Sequence, residues 1–303
     1  MHKMDILTLD KVSKSFGAKR ILNEISFSVP QGSIFGFIGQ NGAGKTTTMK
    51  MILGLLKKDQ GEISVAGEKV SFGQNVTNQY IGYLPDVPEF YEYMTPFEYL
   101  ILCGKITGMS KNVAAERAKE LLEKVGLLGE KRRIRGFSRG MKQRLGVAQA
   151  LMNCPKLLIC DEPTSALDPL GRKELLDILV QAKKETTILF STHILSDVER
   201  ICDQIAFLHG GELVLQGNLE EIKSKHVSND LEIEFQNRND MQEFLAQYED
   251  GEEFSSMGVR YEAKTEKEML CMMQYMWERN ICPQKIERLE ASLEDLFMEV
   301  VGR

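Results

Sequence analysis

Short apolar runs broken by Gly and Pro open the chain. Leu7-Thr8-Leu9, Ile25-Ser26-Phe27-Ser28-Val29 and Glu62-Ile63-Ser64-Val65 alternate or nearly alternate apolar and polar residues, the period of a half-buried strand. Ser33-Ile34-Phe35-Gly36-Phe37-Ile38 is a continuous apolar run, which predicts a strand buried on both faces. It ends at a glycine-rich turn, and Lys45–Leu56 then reads as a helix. Helical spacing recurs over Ala114–Val125 and Met141–Met152, within a mostly helical stretch of residues 94–151. Leu157–Cys160 and Thr186–Ser191 are further buried strands, and Gln204–Leu208 and Glu212–Gln216 flank a glycine hairpin, His209-Gly210-Gly211. Strands alternating with helices predict a largely parallel sheet covered on both faces.

A boundary falls between residues 220 and 230. Beyond it the pattern reads strand (Leu231–Phe235), helix (Asp240–Tyr248), strands (Glu253–Ser256 and Val259–Ala263), helix (Glu266–Arg279), strand (Lys285–Leu289) and helix (Leu293–Val301). Strand-helix-strand, twice over, predicts a small ferredoxin-like α+β unit over 223–303. Met269, Met272, Met273 and Met276 fall on one helical face; core packing is the expectation, a soft-metal site the alternative.

Charge separates the two parts. The chain of 303 residues has a net charge of −6, but residues 221–303 hold 10 Lys and Arg against 19 Asp and Glu, a net of −9. Phosphates would be repelled by such a tail, which argues against nucleic acid as a partner. No stretch approaches the roughly 18 apolar residues of a membrane span, and Met1–Asp10 has no signal-peptide core. Any membrane role is therefore expected to run through a partner chain. The cysteines Cys103, Cys154, Cys160, Cys202, Cys271 and Cys282 have neither zinc nor disulfide spacing and are expected as core residues of a reduced, cytosolic protein.

The chemistry-bearing residues cluster at strand ends. Gly39-Gln40-Asn41-Gly42-Ala43-Gly44-Lys45-Thr46 fits G-x-x-x-x-G-K-[ST] between a buried strand and a helix. Its glycines let successive N–H groups point at phosphate oxygens, and the helix N-terminus adds partial positive charge. Lys45 supplies a full charge for the outer phosphates, and the Thr46 hydroxyl can ligate Mg²⁺. Asp161-Glu162 closes the apolar strand Leu157–Cys160. Asp161 is placed to hold Mg²⁺, directly or through water, and Glu162 to polarise the attacking water. His193 follows a third buried strand, where a neutral imidazole can hydrogen-bond a γ-phosphate and orient water.

Taken in order, Gly39–Thr46, Phe137-Ser138-Arg139-Gly140-Met141, Asp161-Glu162, Ser165-Ala166-Leu167-Asp168 and His193 make the chain resemble the nucleotide-binding subunits of ABC transporters over residues 4–220. The expected fold is accordingly α/β: a P-loop NTPase with a mostly parallel sheet, an antiparallel β subdomain and a helical subdomain over about 88–155, in a cassette of residues 4–222, followed by the small C-terminal α+β domain. The resemblance implies a head-to-tail dimer of two copies with two ATP molecules and Mg²⁺ between them. Gly39 to Thr46, with Thr47, would hold the phosphates of one copy against Ser138 and Gly140 of the other, with Asp168 at the seam. A helix beginning near Met141 would turn its N-terminus toward the γ-phosphate in trans. Phe16 matches the aromatic that stacks on adenine; by sequence alone it reads equally as a strand-end core residue.

Three residues depart from the family pattern. Arg139 and Met141 stand where the signature Leu-Ser-Gly-Gly-Gln has its first glycine and its glutamine, and Asp86 stands where a Gln or Glu normally reaches Mg²⁺ and couples to the membrane partner. Phe-Ser-x-Gly-Met-Lys-Gln-Arg-Leu and Ala291-Ser292-Leu293-Glu294-Asp295-Leu296-Phe297 look like the exporter branch handling drugs, antibiotic peptides or lipid-linked material, whose members pair with separate membrane permeases. That resemblance would place the chain at the cytoplasmic face of the membrane, with the aromatics Phe90, Tyr91, Tyr93, Phe97 and Tyr99 expected as a docking region for a short permease helix or, in part, as core. The rival reading is a soluble ABC ATPase acting on ribosomes or DNA; a regulatory ligand-binding role for the tail is a third, against a default of purely structural support for the dimer. Replacing Lys45 by Ala is expected to weaken magnesium-dependent ATP binding by about 10–100-fold, the worth of one charge-assisted contact; unchanged affinity in equilibrium titration would remove the basis of the reading.

Overall fold

A computed structural model of the chain describes residues 4–74, 76–225, 230–262, 264–289 and 293–301. It divides into two units, Met1–Leu219 and Glu220–Arg303. Ala263 at the end of one expected strand, and Ala291-Ser292 of the closing motif, lie outside the described residues.

In the first unit the elements run β1 (Asp5–Phe16), β2 (Lys19–Pro30), β3 (Ile34–Gly39), α1 (Lys45–Ile52), β4 (Gln60–Val65), β5 (Glu68–Lys69), β6 (Ile81–Leu84), α2 (Pro96–Ile106), α3 (Lys111–Lys124), α4 (Arg139–Ala150), β7 (Leu157–Asp161), α5 (Pro169–Ala182), β8 (Thr187–Thr192), α6 (Leu195–Ile201), β9 (Gln204–His209) and β10 (Glu212–Asn218). Two sheets result. One is antiparallel, in the order β2-β1-β4-β5; the other has the order β10-β9-β3-β8-β7-β6, parallel from β9 to β6 with β10 antiparallel at its edge. Every residue of β3, β7 and β8 is buried, as continuous apolar runs demand of strands covered on both faces. Phe27 of β2 stacks on Phe35 and Phe37 of β3, with ring centroids 5.4 and 5.2 Å apart, so the two sheets share one core. The helices α2, α3 and α4 are inserted between β6 and β7.

Side chains that satisfy backbone donors fix the helix starts. Thr95 and Glu98 form a capping box on α2, with Pro96 in its first turn. The Ser138 hydroxyl accepts from Met141 N–H at 3.2 Å, so α4 begins at Arg139, two residues before its expected start. β1 and β2 are 12 residues each, longer than their alternating cores suggest. Register shifts break the alternation, and Lys11 and Glu24 take left-handed φ of 46° and 49°.

The second unit continues with α7 (Leu219–Lys225), which begins one residue before the division, then β11 (Leu231–Phe235), α8 (Arg238–Gln247), β12 (Glu252–Ser255), β13 (Gly258–Tyr261), α9 (Glu266–Glu278), β14 (Pro283–Arg288) and α10 (Leu293–Val301). Its sheet has the order β12-β13-β11-β14 with antiparallel pairs throughout, joined strand-helix-strand-strand-helix-strand. Alternation in β11 turns Leu231, Ile233 and Phe235 into a core with Phe244, Tyr261, Met272 and Met276.

Two expectations are corrected here. Met272 and Met276 are buried and Met269 packs against them, but Met273 is 46% exposed, because one residue along a helix turns about 100° and leaves the core face. Among the cysteines, Cys160 and Cys202 are buried and Cys103 is half-buried, whereas Cys154, Cys271 and Cys282 are exposed. Cys154 lies in a turn at φ 49°, Cys271 on the outer face of α9 and Cys282 directly before β14.

The sheet leaves no room at Gly82 of β6: a Cβ there would sit 2.2 Å from the Ala150 carbonyl oxygen at the end of α4. Gly82→Ala is expected to destabilise the first unit by about 1–3 kcal/mol, read from its denaturant midpoint; an unchanged midpoint would contradict the packing described.

Candidate active site

Parallel strands end on the same edge of their sheet, and four such ends build the site. β3 leads into Gly39–Lys45, β6 into Asp86, β7 into Asp161-Glu162 and β8 into His193. Between them lies a cleft of about 410 Å³ lined by Ile21, Asn41, Gly42, Gly44, Lys45, Thr46, Thr47, Asp86, Glu162, Ser165 and His193.

The loop before α1 needs its glycine at 44. Its φ is 116°, and a Cβ would meet Leu22 Cδ2 at 2.7 Å. No side chain caps α1, so its first N–H groups stay available at the cleft. Lys45, although 5% exposed, donates to Gly39 O at 2.5 Å and Gln40 O at 3.2 Å. Its Nζ also stands 2.9 Å from Glu162 Oε1. Among the described residues that oxygen receives no hydrogen bond, so the contact is one of charge. The other carboxylate oxygen lies 2.8 Å from His193 Nδ1. Because a carboxylate only accepts, Nδ1 carries the proton, and a neutral His193 then has an acceptor at Nε2. The expected hydrogen bond from a neutral imidazole to a phosphate therefore requires either an imidazolium or release from Glu162.

Glu162 occupies the left-handed region at φ 49°, sparse for residues with a Cβ. Its N–H is tied to Ser191 O at 3.1 Å and Ser191 Oγ at 3.2 Å. The Ser191 hydroxyl donates to Asp161 Oδ1 at 2.8 Å. Asp161 is buried and is not a cleft-lining residue. Beyond Glu162 the loop is held by Thr164, whose hydroxyl donates to Asp197 Oδ2 at 2.7 Å, while Arg172 Nε donates to Asp197 Oδ1 at 2.5 Å.

Asp86 connects the cleft to α4. Its Oδ1 lies 3.2 Å from Arg139 Nη2, and its backbone carbonyl accepts from the buried Gln143 Nε2. Arg139 and Gln143 are i and i+4 on one helical face. Burial pushes the Asp86 carboxyl above its usual range; Arg139 opposes this, and Glu162 and Asp161 add to it.

Other expected residues lie outside the cleft. Gly39, Gln40 and Ala43 form the turn behind it, with Ala43 N–H donating to Gln40 O at 3.1 Å. Ser138 and Asp168 are exposed helix caps, and Gly140 faces open space, with nothing nearer a Cβ there than Leu167 Cδ2 at 4.0 Å. Phe16 is 52% exposed at the end of β1 with Lys14 Nζ 5.1 Å over its ring, which sets aside the core alternative. Ser191, Gln143, Asp197 and Arg172 were missed by sequence reasoning. Ser191 could have been found, since it directly precedes Thr192-His193 at a strand end; the others act through tertiary contacts that leave no local mark.

A family model described as "ABC transporter" matches residues 22–165. The bacitracin transport ATP-binding protein BcrA of Bacillus licheniformis is 36% identical over 98% of this chain and 97% of its own length. The chain belongs to the ABC transporter ATP-binding family. The linearmycin resistance ATP-binding protein LnrL of Bacillus subtilis (strain 168) is 38% identical over 73% of this chain and 71% of its own. A solved ATP-binding subunit of an ABC transporter superposes with a TM-score of 0.64 at 36% identity, covering 73% of this chain and 92% of that one. As an ABC transporter ATP-binding subunit the chain is an ATPase, and the cleft carries the family's phosphate loop.

Since Arg139 holds Asp86 toward its charged form, Arg139→Ala is expected to raise the Asp86 carboxyl further, so that it stays protonated to higher pH. A carboxyl NMR titration reads this, and a lowered or unmoved titration point would contradict it.

Proposed function

We propose that this ABC ATPase hydrolyses magnesium-bound ATP in the cleft described and drives export through a separate membrane-spanning subunit. The reading rests chiefly on Glu162, whose carboxylate is held between Lys45 Nζ at 2.9 Å and His193 Nδ1 at 2.8 Å. A polar cleft at an uncapped helix N-terminus, with a buried ammonium group, suits a triphosphate.

Gly39 to Thr47 would bind the phosphates, Lys45 exchanging Glu162 for a phosphate oxygen as it does so. Freed, Glu162 takes the proton of the attacking water, and His193 orients it through Nδ1–H. Thr46, Asp161 through water and Asp86 would hold Mg²⁺. Bound Mg²⁺ neutralises charge on the phosphate oxygens. Phe16 offers an exposed ring for adenine. Ser138, Gly140 and Asp168 would serve the second copy's nucleotide, a role supported by the open space around Gly140, where no described residue comes nearer a Cβ than 4.0 Å.

Residues 4–222 would form the cassette and 223–303 the accessory domain, supported by the division at Leu219. Among the described residues no helix is long and apolar enough to cross a membrane, so attachment at the cytoplasmic face would run through the permease. Its docking region would include the groove of about 490 Å³ bounded by Phe90, Tyr91, Tyr99, Leu102, Ile106 and Met152. Tyr91 and Tyr93 are exposed anchors, Tyr99 is buried, and Phe90 and Phe97 are half-buried. Relatives named for bacitracin transport and linearmycin resistance support an antibiotic-like cargo over action on ribosomes or DNA.

Glu162→Gln should lower turnover by about 10²–10⁴-fold while retaining ATP and trapping the dimer in size-exclusion chromatography. Turnover at the normal rate would show that Glu162 is not the base.

A further inference from the structure

Helix α9 carries two apolar stripes. Met269, Met272 and Met276 face the core, while Leu270, Met273 and Trp277 (also i, i+3 and i+7) are 63%, 46% and 84% exposed. A surface helix ordinarily has one such stripe, and exposed indole beside exposed thioether marks a face that is covered in use. Next to it lies a groove of about 470 Å³ lined by Met273, Met276, Trp277, Ile281, Pro283 and Ile286, with Asn280 and Cys282 as its polar members. The far wall of the groove is β14, at the edge of the sheet; among the described residues β14 pairs with β11 alone.

The two edges of this sheet differ in charge. On β12, Glu252 and Glu253 are both exposed, so two copies paired there would meet like charges. On β14, Pro283-Gln284-Lys285-Ile286-Glu287-Arg288 has a net charge of +1 inside a segment of net −9. The strand is also complementary to itself. In an antiparallel two-fold pairing centred on Ile286, Lys285 faces Glu287 of the second copy, Gln284 faces Arg288 of the second copy, and Ile286 faces its own equivalent. Ile286 packs toward the helices, so alternation sends Lys285 and Glu287, both about half exposed, to the open face of the sheet. The pairing would thus put reciprocal ion pairs on one face and apolar contact with the Trp277 stripe on the other.

We propose that the C-terminal unit is a nucleotide-independent dimerisation module: β14 pairs antiparallel with β14 of a second copy, and the same contact covers Leu270, Met273 and Trp277. The occupant is another copy of this chain because the strand's charge pattern complements itself, and because a small-ligand site would need more converging polar groups than Asn280 and Cys282 provide. The contact goes beyond the ATP-dependent dimer of the proposed function. It would keep two cassettes together after nucleotide leaves and make their closure an intramolecular event.

Trp277 is the sole tryptophan of the chain, so its emission reports this surface alone. The test uses the full-length protein without nucleotide, in a dilution series followed by Trp277 emission and sedimentation, which keeps it separate from any failure of the ATPase reading. Emission should be blue-shifted in the dimer and move to the red as dilution yields monomer. Lys285→Glu should weaken association about tenfold or more by opposing like charges, Trp277→Ala should weaken it in sedimentation, and Lys285→Glu with Glu287→Lys should restore it. The rescue excludes misfolding as the cause. A monomer with unchanging emission at every concentration overturns the proposal. So does a dimer indifferent to Lys285→Glu, or a blue shift that arises only when membranes containing the permease are added.

Discussion

A buried ammonium group facing a carboxylate is the constraint on which this site depends. Lys45 is almost inaccessible to solvent, and its charge is met by two backbone carbonyls of the loop before α1 and by Glu162 at the end of β7. A buried ion is costly unless paired, so the loop, the strand end and the cleft between them form a mutually dependent set. Glu162 in turn has a left-handed backbone that the Ser191 contacts, the turn bond from Ser165 N–H and the Thr164–Asp197–Arg172 network hold in place. In the proposed reaction a phosphate would displace Glu162 from Lys45, so the catalytic base would become available when its electrostatic partner is taken by substrate.

Asp86 and Arg139 depart from the family pattern at two distant places in the sequence and meet in space. The shorter Asp86 side chain is held by a guanidinium that the usual glycine could not supply, and its backbone by Gln143 one turn later on the same helix. Binding events in the cleft and the position of α4 are thereby linked through a partly exposed ion pair. Exposed pairs contribute little stability, roughly 0–1 kcal/mol; the pair's effect lies in where it holds the Asp86 carboxylate.

The small C-terminal unit is stabilised by its own aromatic and methionine core, yet exposes apolar surface next to an edge strand that lacks the acidic guard of its opposite edge. Natural sheets usually blunt such edges. β14 carries Pro283 and the Lys285–Glu287 pair, and the order of those charges is complementary to a second copy in a two-fold pairing, which suits a contact surface.

Buried parallel strands and the phosphate loop were legible in the sequence, because they follow from local rules, whereas the helix starts were set by caps at Thr95, Ser110 and Ser138 that the apolar spacing did not mark. A six-residue apolar run has to be covered on both faces, and the G-x-x-x-x-G-K-[ST] turn follows from glycine's conformational range. Sequence alone also placed Asp161, Glu162 and His193 at strand ends, and parallel topology brings those ends to one edge. Only the tertiary structure decided that Lys45 neutralises Glu162, that His193 bonds it through Nδ1 and that Arg139 reaches Asp86. Each depends on side chains from separate elements approaching within a few ångströms, and no periodicity along the chain records that distance.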